Sequence, residues 1–239
     1  MASSVSDITG PLDLRARSRR RRIRIVTVVA VLVAVLLAVG VYVVRWSGLM
    51  AADQVVVDGA RLVTADQVRD AARVPIGAPL ATIDLGAVGS RVAALEPVHR
   101  VSVHRAWPDT VRIRITERRP VYQLRDQQGY HWIDASGTAF HTTTASRRGT
   151  PWALTATRST RLLRDVATVA ASLDPALLKQ LDHLEAGGPD SITLVLSKGR
   201  TVMWGSADES DVKSQVATAM VATKATHYDV SSPQNPTAR

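Results

Sequence analysis

The sequence predicts an α+β protein in three parts: one membrane-crossing helix, a small unit ordered strand, helix, helix, strand, strand, and a larger mixed β unit with flanking helices. Three observations lead there. Ile25 to Val44 is a run of twenty residues without a charge. Two Ser/Thr-x-x-Glu/Gln signals, Thr64-Ala65-Asp66-Gln67 and Ser206-Ala207-Asp208-Glu209, each stand at the head of an amphipathic stretch, where such a box caps a helix. Several short segments alternate apolar and polar residues and end at Gly, Pro or Asp, the pattern of half-buried strands.

The apolar run comes first. At about 1.5 Å per residue, twenty helical residues cover roughly the 30 Å of a bilayer's hydrocarbon core. The run is apolar on every face, unlike the one-sided stripe of a helix buried in a soluble core. It is too long for the apolar stretch of a cleaved signal, and Leu49-Met50-Ala51-Ala52 is a poor cleavage site. Seven arginines precede it (Arg15, Arg17, Arg19, Arg20, Arg21, Arg22 and Arg24) against Asp7 and Asp13. The positive-inside tendency therefore puts residues 1–24 in the cytoplasm, with Arg19, Arg20, Arg21, Arg22 and Arg24 orienting the helix at residues 25–45. A juxtamembrane linker at 46–52 and everything after it lie outside.

Charge must be read in pieces. The net charge is +9, of which +5 precedes the span, Arg45 adds one, and residues 46–239 carry only +3. The high pI thus belongs to the membrane-proximal arginines, suited to anionic headgroups, and gives no ground for a nucleic-acid partner. The chain has no cysteine, which excludes disulfides and thiolate metal sites.

The small unit, 53–120, begins with the β-branched run Gln54-Val55-Val56-Val57-Asp58, stopped by Gly59. Thr64 caps a helix, with Val63 and Val68 placed as a hydrophobic staple; Val68, Ala71 and Ala72 share a face, and Pro75 and Gly77 end it. Asp84 caps a second helix carrying Leu85, Val88, Val92 and Leu95 at helical spacing, closed by Pro97. Val101 and Val103 alternate with polar neighbours, Trp107-Pro108-Asp109-Thr110 turns, and Val111, Ile113 and Ile115 alternate with Arg112, Arg114 and Thr116.

The larger unit, 121–230, opens with a hairpin over Tyr130–Phe140 that turns at Asp134-Ala135-Ser136-Gly137. Thr150-Pro151-Trp152 leads into a helix with Leu162, Val166, Val169, Ala170 and Leu173 on one face. Leu181–Ala186 reads as a strand; Ile192, Leu194 and Leu196 alternate before a Lys198-Gly199 turn; Thr201–Gly205 continues the sheet. The second capping box starts a helix whose apolar stripe is Val212, Val216 and Met220. Residues 231–239 read as a tail.

Together these residues resemble the FtsQ/DivIB family of cell-division proteins. The resemblance rests on Val55-x-Val57-x-Gly59, on Val98-x-x-Val101-x-Val103-x-Arg105-x-Trp107-Pro108 and on Ile113-x-Ile115-x-Glu117-Arg118-x-Pro120, which is similar to that family's POTRA module, and on Tyr228-Asp229-Val230-Ser231-Ser232-Pro233, similar to its closing segment. It implies a single-pass type II protein of the plasma membrane, enriched at the septum, with a POTRA domain and a β domain outside. It implies a non-enzymatic scaffold that couples other divisome proteins during septum formation. It further implies that the terminal edge of the β domain (Tyr228, Asp229, Val230, Ser231 and Ser232, with Val202 and Trp204 as neighbours) receives a membrane protein of the FtsB/DivIC type, itself paired with an FtsL-type protein.

The residues hold little sign of chemistry. Ser210-Asp211-Val212-Lys213 matches the Ser-x-x-Lys of penicillin-binding enzymes, but without a Lys-Thr-Gly partner and on the expected polar side of a helix. The six histidines show no tight metal-ligand spacing, and Glu117 and Asp134 read as strand-end and turn residues. No cofactor and no metal site is expected. Arg100, Arg105, Arg112, Arg114, Arg118 and Arg119 form either a basic stripe for lipid or wall polymer, or a solvated face that blunts a sheet edge. Two other functions stay open at this stage. One is a membrane-anchored cell-wall enzyme with unrecognised catalytic residues, and the other a POTRA-bearing envelope-assembly or secretion component, which would normally show repeats.

Overall fold

A computed structural model describes the backbone over residues 10–46 and 50–239, and side chains at 22, 24–43 and from 50 onward. Helix α1 (Gly10–Trp46) runs 37 residues, about 55 Å. Arg24–Val43 within it is long and apolar enough to cross a membrane, and no part of that stretch is covered by the rest of the protein. Arg22 and Arg24 are exposed at its start. The side chains of Arg19, Arg20 and Arg21 lie outside the described residues.

The small unit has the expected order. It comprises β1 (Gln54–Asp58), α2 (Ala65–Ala72), α3 (Leu85–Ala93), β2 (Val98–Ala106) and β3 (Thr110–Glu117). Strand β3 is central, parallel to β1 and antiparallel to β2. Alternation on β3 puts Val111, Ile113 and Ile115 into a core with Val68, Leu80, Val88 and Val92. Thr64 forms the expected capping box with Gln67, Asp84 Oδ1 accepts from the Ala87 N–H, and the staple pair Val63 and Val68 is buried. Helix α2 ends earlier than expected. Arg73 adopts the left-handed conformation (φ 46°) that usually falls to Gly, and the Arg91 guanidinium donates to the Ala72 carbonyl at 2.9 and 2.7 Å. That bond satisfies a terminal carbonyl, so the helix can stop before Pro75 and Gly77.

Chain direction gives this unit two distinct ends. Strand β1 leaves the membrane side, α2 returns to it, α3 leads away, β2 returns, and β3 leaves again. Residues 50–54, the α2–α3 loop and the β2–β3 turn, with its cis Trp107–Pro108 peptide, therefore share the end next to α1. The other end abuts the larger unit.

The larger unit is a nine-stranded mixed sheet. Its strands are β4 (Tyr122–Asp126), β5 (Gly129–Ile133), β6 (Ala139–Thr143), β7 (Trp152–Thr155), β8 (Leu181–Gly188), β9 (Ser191–Leu196), β10 (Thr201–Gly205), β11 (His227–Asp229) and β12 (Thr237–Ala238), in the spatial order β12-β11-β10-β9-β8-β7-β4-β5-β6. Helices α4 (Thr160–Ser172), α5 (Pro175–Leu178) and α6 (Ser210–Met220) cover one face, where Leu162, Val166, Leu177 and Ala217 meet Tyr122, Leu184, Leu194, Val202 and Trp204. Strand β7 was not anticipated. It is four residues long and lies parallel to both β4 and β8, so only its Ala153 is fully buried and it shows no readable alternation.

The approach to α6 corrects two expectations. Ser206–Glu209 does not form a capping box. Ser206 and Asp208 bond each other, Glu209 sits at the N-cap in a left-handed conformation (φ 52°) with its carboxylate turned to Gln234 and not to the helix, and the helix starts at Ser210. The stripe Val212, Val216 and Met220 is only part of the inner face: Val216 and Met220 pack against the core, but Val212 does not. Val212 is 47% exposed, while Ser210, Lys213, Ser214 and Ala217 are buried. Each buried polar group has a partner, which makes its burial tolerable. Ser210 Oγ accepts from Trp204 Nε1 (3.1 Å) and donates to the Ala207 carbonyl, Lys213 Nζ donates to the Ser206 carbonyl (2.9 Å), and Ser214 Oγ accepts from the Asp174 N–H (2.9 Å).

Candidate functional site

The terminal edge of the sheet was expected to be Tyr228–Ser232. The structure puts one more strand outside it. Asp229 Oδ1 accepts from the Ser231 N–H and Oγ, the Asn235 N–H donates to the Ser232 carbonyl, and the chain doubles back as β12. Residues 231–239 are therefore part of the sheet and not a trailing tail. A two-residue strand between Pro236 and Arg239 leaves no periodic signal, so it was not legible.

Of the residues expected at the partner edge, Val202, Trp204, Tyr228 and Val230 are buried side chains of the core, at 0–2% exposure. They brace the edge from behind. Asp229 is half-buried, and Ser231 and Ser232 are exposed. Strand β11 runs parallel to β10 on its inner side, and the Val230 N–H donates to the Met203 carbonyl at 3.0 Å. On its outer side β11 pairs with β12 through Tyr228↔Ala238 and Asp229↔Thr237, while His227 and Arg239 exchange backbone bonds at 3.0 and 2.9 Å. A shallow cleft of about 300 Å³ opens over this corner, lined by Thr193, Met203, His227 and Thr237 among others. Since residues 227, 229 and 237 direct their backbone groups between β11 and β12, β12 offers only Ala238 to a further strand.

The second notable place is the junction of the two units. Glu117 Oε1 accepts the backbone N–H groups of Arg61, Leu62 and Val63 at 2.8, 2.7 and 3.0 Å, fixing the loop after β1. Its neighbour Arg118 donates from Nε to the Glu96 carbonyl (3.0 Å) and from Nη1 to Asp134 Oδ2 (2.5 Å). Asp134 Oδ1 holds its own turn by accepting from Ser136 N–H, Ser136 Oγ and Thr138 N–H. Burial pushes the Asp134 carboxyl up, but the Ser136 hydroxyl, the Thr138 N–H and the Arg118 guanidinium outweigh it and hold it below its usual range. Clefts of about 660 and 570 Å³ flank the connecting segment, so little else joins the units. Glu117 and Asp134, read from sequence as minor strand-end and turn residues, are junction residues.

Two of the six arginines of the basic stripe are withdrawn from it, while Arg100, Arg112, Arg114 and Arg119 remain exposed. Arg105 donates to the carbonyls of Leu80, Ala81 and Ile83, Arg118 is engaged at the junction, and Arg112 and Arg114 lie 4.0 and 3.9 Å from Asp58. Their strand, β3, is central, so they do not blunt an edge.

Ser210 and Lys213 are buried and bonded to the 206–207 turn and to Trp204, not to each other. Burial pushes the Lys213 ammonium below its usual range, against the pull of Asp208 and Glu209. One constellation was missed in the sequence. His131 Nε2 is 2.9 Å from Asp126 Oδ2 and Nδ1 is 2.9 Å from Thr142 Oγ1, and Arg158 pairs with the same Asp126 oxygen. Arg158 Nη2 also lies 3.3 Å from His131 Nε2. The network ties β4, β5 and β6 to the approach of α4. Among the described residues no group of three or more His, Asp or Glu side chains is gathered for a metal ion.

Comparison with known proteins agrees with this architecture. Residues 50–118 match the model of the POTRA domain, FtsQ-type, and residues 123–232 that of the cell division protein FtsQ/DivIB, C-terminal. The chain is 35% identical over 219 residues to the cell division protein FtsQ of Streptomyces collinus, covering 84% of this chain and 83% of that one. It is 34% identical over 210 residues to FtsQ of Mycobacteroides abscessus, covering 85% and 66%. Among solved structures, the major extracytoplasmic domain of DivIB from Geobacillus stearothermophilus matches with a TM-score of 0.35 at 16% identity, covering 45% of this chain and 98% of that one.

Proposed function

This chain belongs to the FtsQ/DivIB family of bacterial cell-division proteins and is a membrane-borne scaffold of the division machinery; we propose that it captures an extended segment of a partner on β11, by displacing β12. The partner is a membrane protein of the FtsB/DivIC type, carrying an FtsL-type protein with it, and the site is enriched at the septum. The observation that carries this reading is the mismatch between the two outer strands. The covering segment is short, Thr237–Arg239, and leaves all its side chains exposed. Strand β11 beneath it is braced by Trp204, Tyr228 and Val230 and has a full outer row of backbone groups. A longer strand supplied in trans can take over the same backbone bonds and add side-chain contacts that β12, with both side chains exposed, does not make. Recruitment, not turnover, is the whole of its role, and no catalytic residue is assigned.

Removing residues 236–239 should strengthen capture of the partner's ectodomain. Giving up a two-residue strand is worth about 1–2 kcal/mol, or roughly five- to thirtyfold in apparent affinity. Titration by biolayer interferometry reads this directly. A loss of binding would mean that the partner adds to β12 itself, and an unchanged affinity would put the site elsewhere. Val230→Pro is a poor probe, because its N–H serves β10 and the substitution would damage the protein's own ladder.

The same reading places residues 1–24 in the cytoplasm and both folded units outside. An alkaline phosphatase fusion after residue 60 should be active, and an inactive fusion would reverse the orientation.

A further inference from the structure

The end of the POTRA unit nearest α1 is apolar in a way the rest of its surface is not. Val74 to Ile83 is ten residues without a charge and contains Pro75 and Pro79. Ile76, within it, is 58% exposed, and Trp107 in the β2–β3 turn is 51% exposed. Beyond α1, the other exposed large apolar side chains among the described residues are Leu154, Met203 and Val212, all in the β domain.

These two loops are tied to the chain as it arrives from the membrane. The Ala52 N–H donates to the Ala78 carbonyl and the Gly77 N–H to the Ala52 carbonyl, both at 2.8 Å. The Asp53 N–H donates to the Asp109 carbonyl at 2.8 Å. Helix α1 itself contacts the turn at Leu80–Thr82. Trp46 and Met50 are four residues apart, which spans at most about 14 Å. Ile76 and Trp107 are thus held within a short reach of the point where the helix leaves the bilayer, whatever the conformation of the connecting residues.

The chemistry at this end suits an interface. The Ala52, Gly77, Ala78 and Thr82 N–H groups are bonded inside the protein, and Pro75, Pro79 and Pro108 have none to lose. Arg105 is partly buried and donates to three carbonyls of this loop. An indole ring at a membrane surface is favoured because its body is apolar and its N–H remains wet.

We propose that this end is a membrane foot: Ile76 and Trp107 enter the headgroup region of the leaflet from which α1 emerges and fix the tilt of the POTRA unit on the bilayer. The inference rests on α1 being a membrane anchor.

The chain has no cysteine, so single cysteines can be placed at Ile76, Trp107, Leu36 and Met203 and labelled with an environment-sensitive NBD probe. The full chain is reconstituted in phosphatidylcholine/phosphatidylglycerol nanodiscs with nitroxides on either the headgroup or the acyl chain. Probes at 76 and 107 should lose most of their emission to the headgroup nitroxide, while the probe at Met203, equally apolar in its native residue and exposed, should not. Quenching at Leu36 by the acyl-chain nitroxide with no more quenching at 76 and 107 than at 203 would overturn the foot and leave the anchor standing. Shielding of 76 and 107 from aqueous iodide without lipid quenching would mean that protein covers them, and would equally overturn it. No quenching at Leu36 would remove the anchor and the foot together.

Discussion

Gly59→Ala should destabilise the extracytoplasmic region by about 3–5 kcal/mol, the sum of a left-handed backbone forced on an L-residue and a collision that cannot be relieved locally. Gly59 has φ +91°, and a Cβ built there would lie 2.2 Å from the Ile115 carbonyl oxygen and 3.3 Å from its carbon. The register places Asp58 opposite Arg114, so Gly59 arrives directly beside Ile115. That carbonyl belongs to the central strand β3 and cannot retreat without disturbing β2 as well. Immediately downstream, Arg61, Leu62 and Val63 direct their N–H groups at Glu117, so movement of the loop also breaks bonds to the junction. Urea unfolding of the solubilised chain should show the midpoint falling by about 1–2 M at an unchanged slope. Gly149→Ala is the matched control, with φ +76° and nothing within 4 Å of the added carbon, and should cost only about 1 kcal/mol. If both substitutions cost the same, the close approach of β1 to β3 is not what requires glycine at 59.

The contrast between the two units explains what was legible. In the POTRA unit each element has a single buried side, so period and burial coincide: Val111, Ile113 and Ile115 alternate in sequence and all three are buried. Both of its helix starts are marked by side chains that act on their own turn, Thr64 and Asp84, which is local chemistry and readable as such. Helix α6 fails for the opposite reason. Its buried face is chosen by polar partners outside the helix, which apolar periodicity does not register: Asp174 seeks Ser214, Trp204 seeks Ser210, and the Ser206 carbonyl takes Lys213. Apolar periodicity then points to Val212, which the fold leaves in solvent. Strands β7 and β12 are missed because four and two residues hold too few alternations to register.

The terminal edge was half legible. The resemblance pointed to Val202, Trp204 and Tyr228–Ser232 as the last edge of the sheet, but a motif cannot tell an outer strand from one that its own chain has covered. That distinction depends on Asp229 and Pro233 turning the last residues back, which is a tertiary fact. The junction was hidden for a similar reason. Glu117 and Arg118 are adjacent, yet one secures the loop at 61–63 and the other reaches Asp134, and neither target is near in sequence.

Arg118→Ala should cost about 2–3 kcal/mol at neutral pH and loosen the two units from each other. Breaking a fully buried pair costs about 3–5 kcal/mol; Arg118 keeps 22% of its side chain exposed, so solvent offsets part of that. Among the described residues the Arg118–Asp134 contact is the one side-chain hydrogen bond or ion pair that joins residues 50–119 to residues 122–239. The effect should depend on acid in a definite direction. Asp134 is held below the usual carboxylate range in the folded chain, so its contribution is complete above about pH 4, the unfolded value, and is lost as pH falls through the folded one. Denaturation at pH 7 and again at pH 3 should therefore find the variant and the parent closer together in acid. Asp134→Asn should reproduce the loss, and the double variant should cost less than the sum of the two singles, as a shared contact requires. Additive costs would show that each residue acts alone. Spin labels placed on the two units, at Thr82 and Met203, should report a broadened distance in Arg118→Ala. On the proposed reading this angle is functional, because it would set the height above the membrane at which β11 meets a partner anchored in the same bilayer. A variant that still binds the partner's isolated segment normally, yet fails to recruit the membrane-anchored partner in cells, would separate the geometry of presentation from the chemistry of capture.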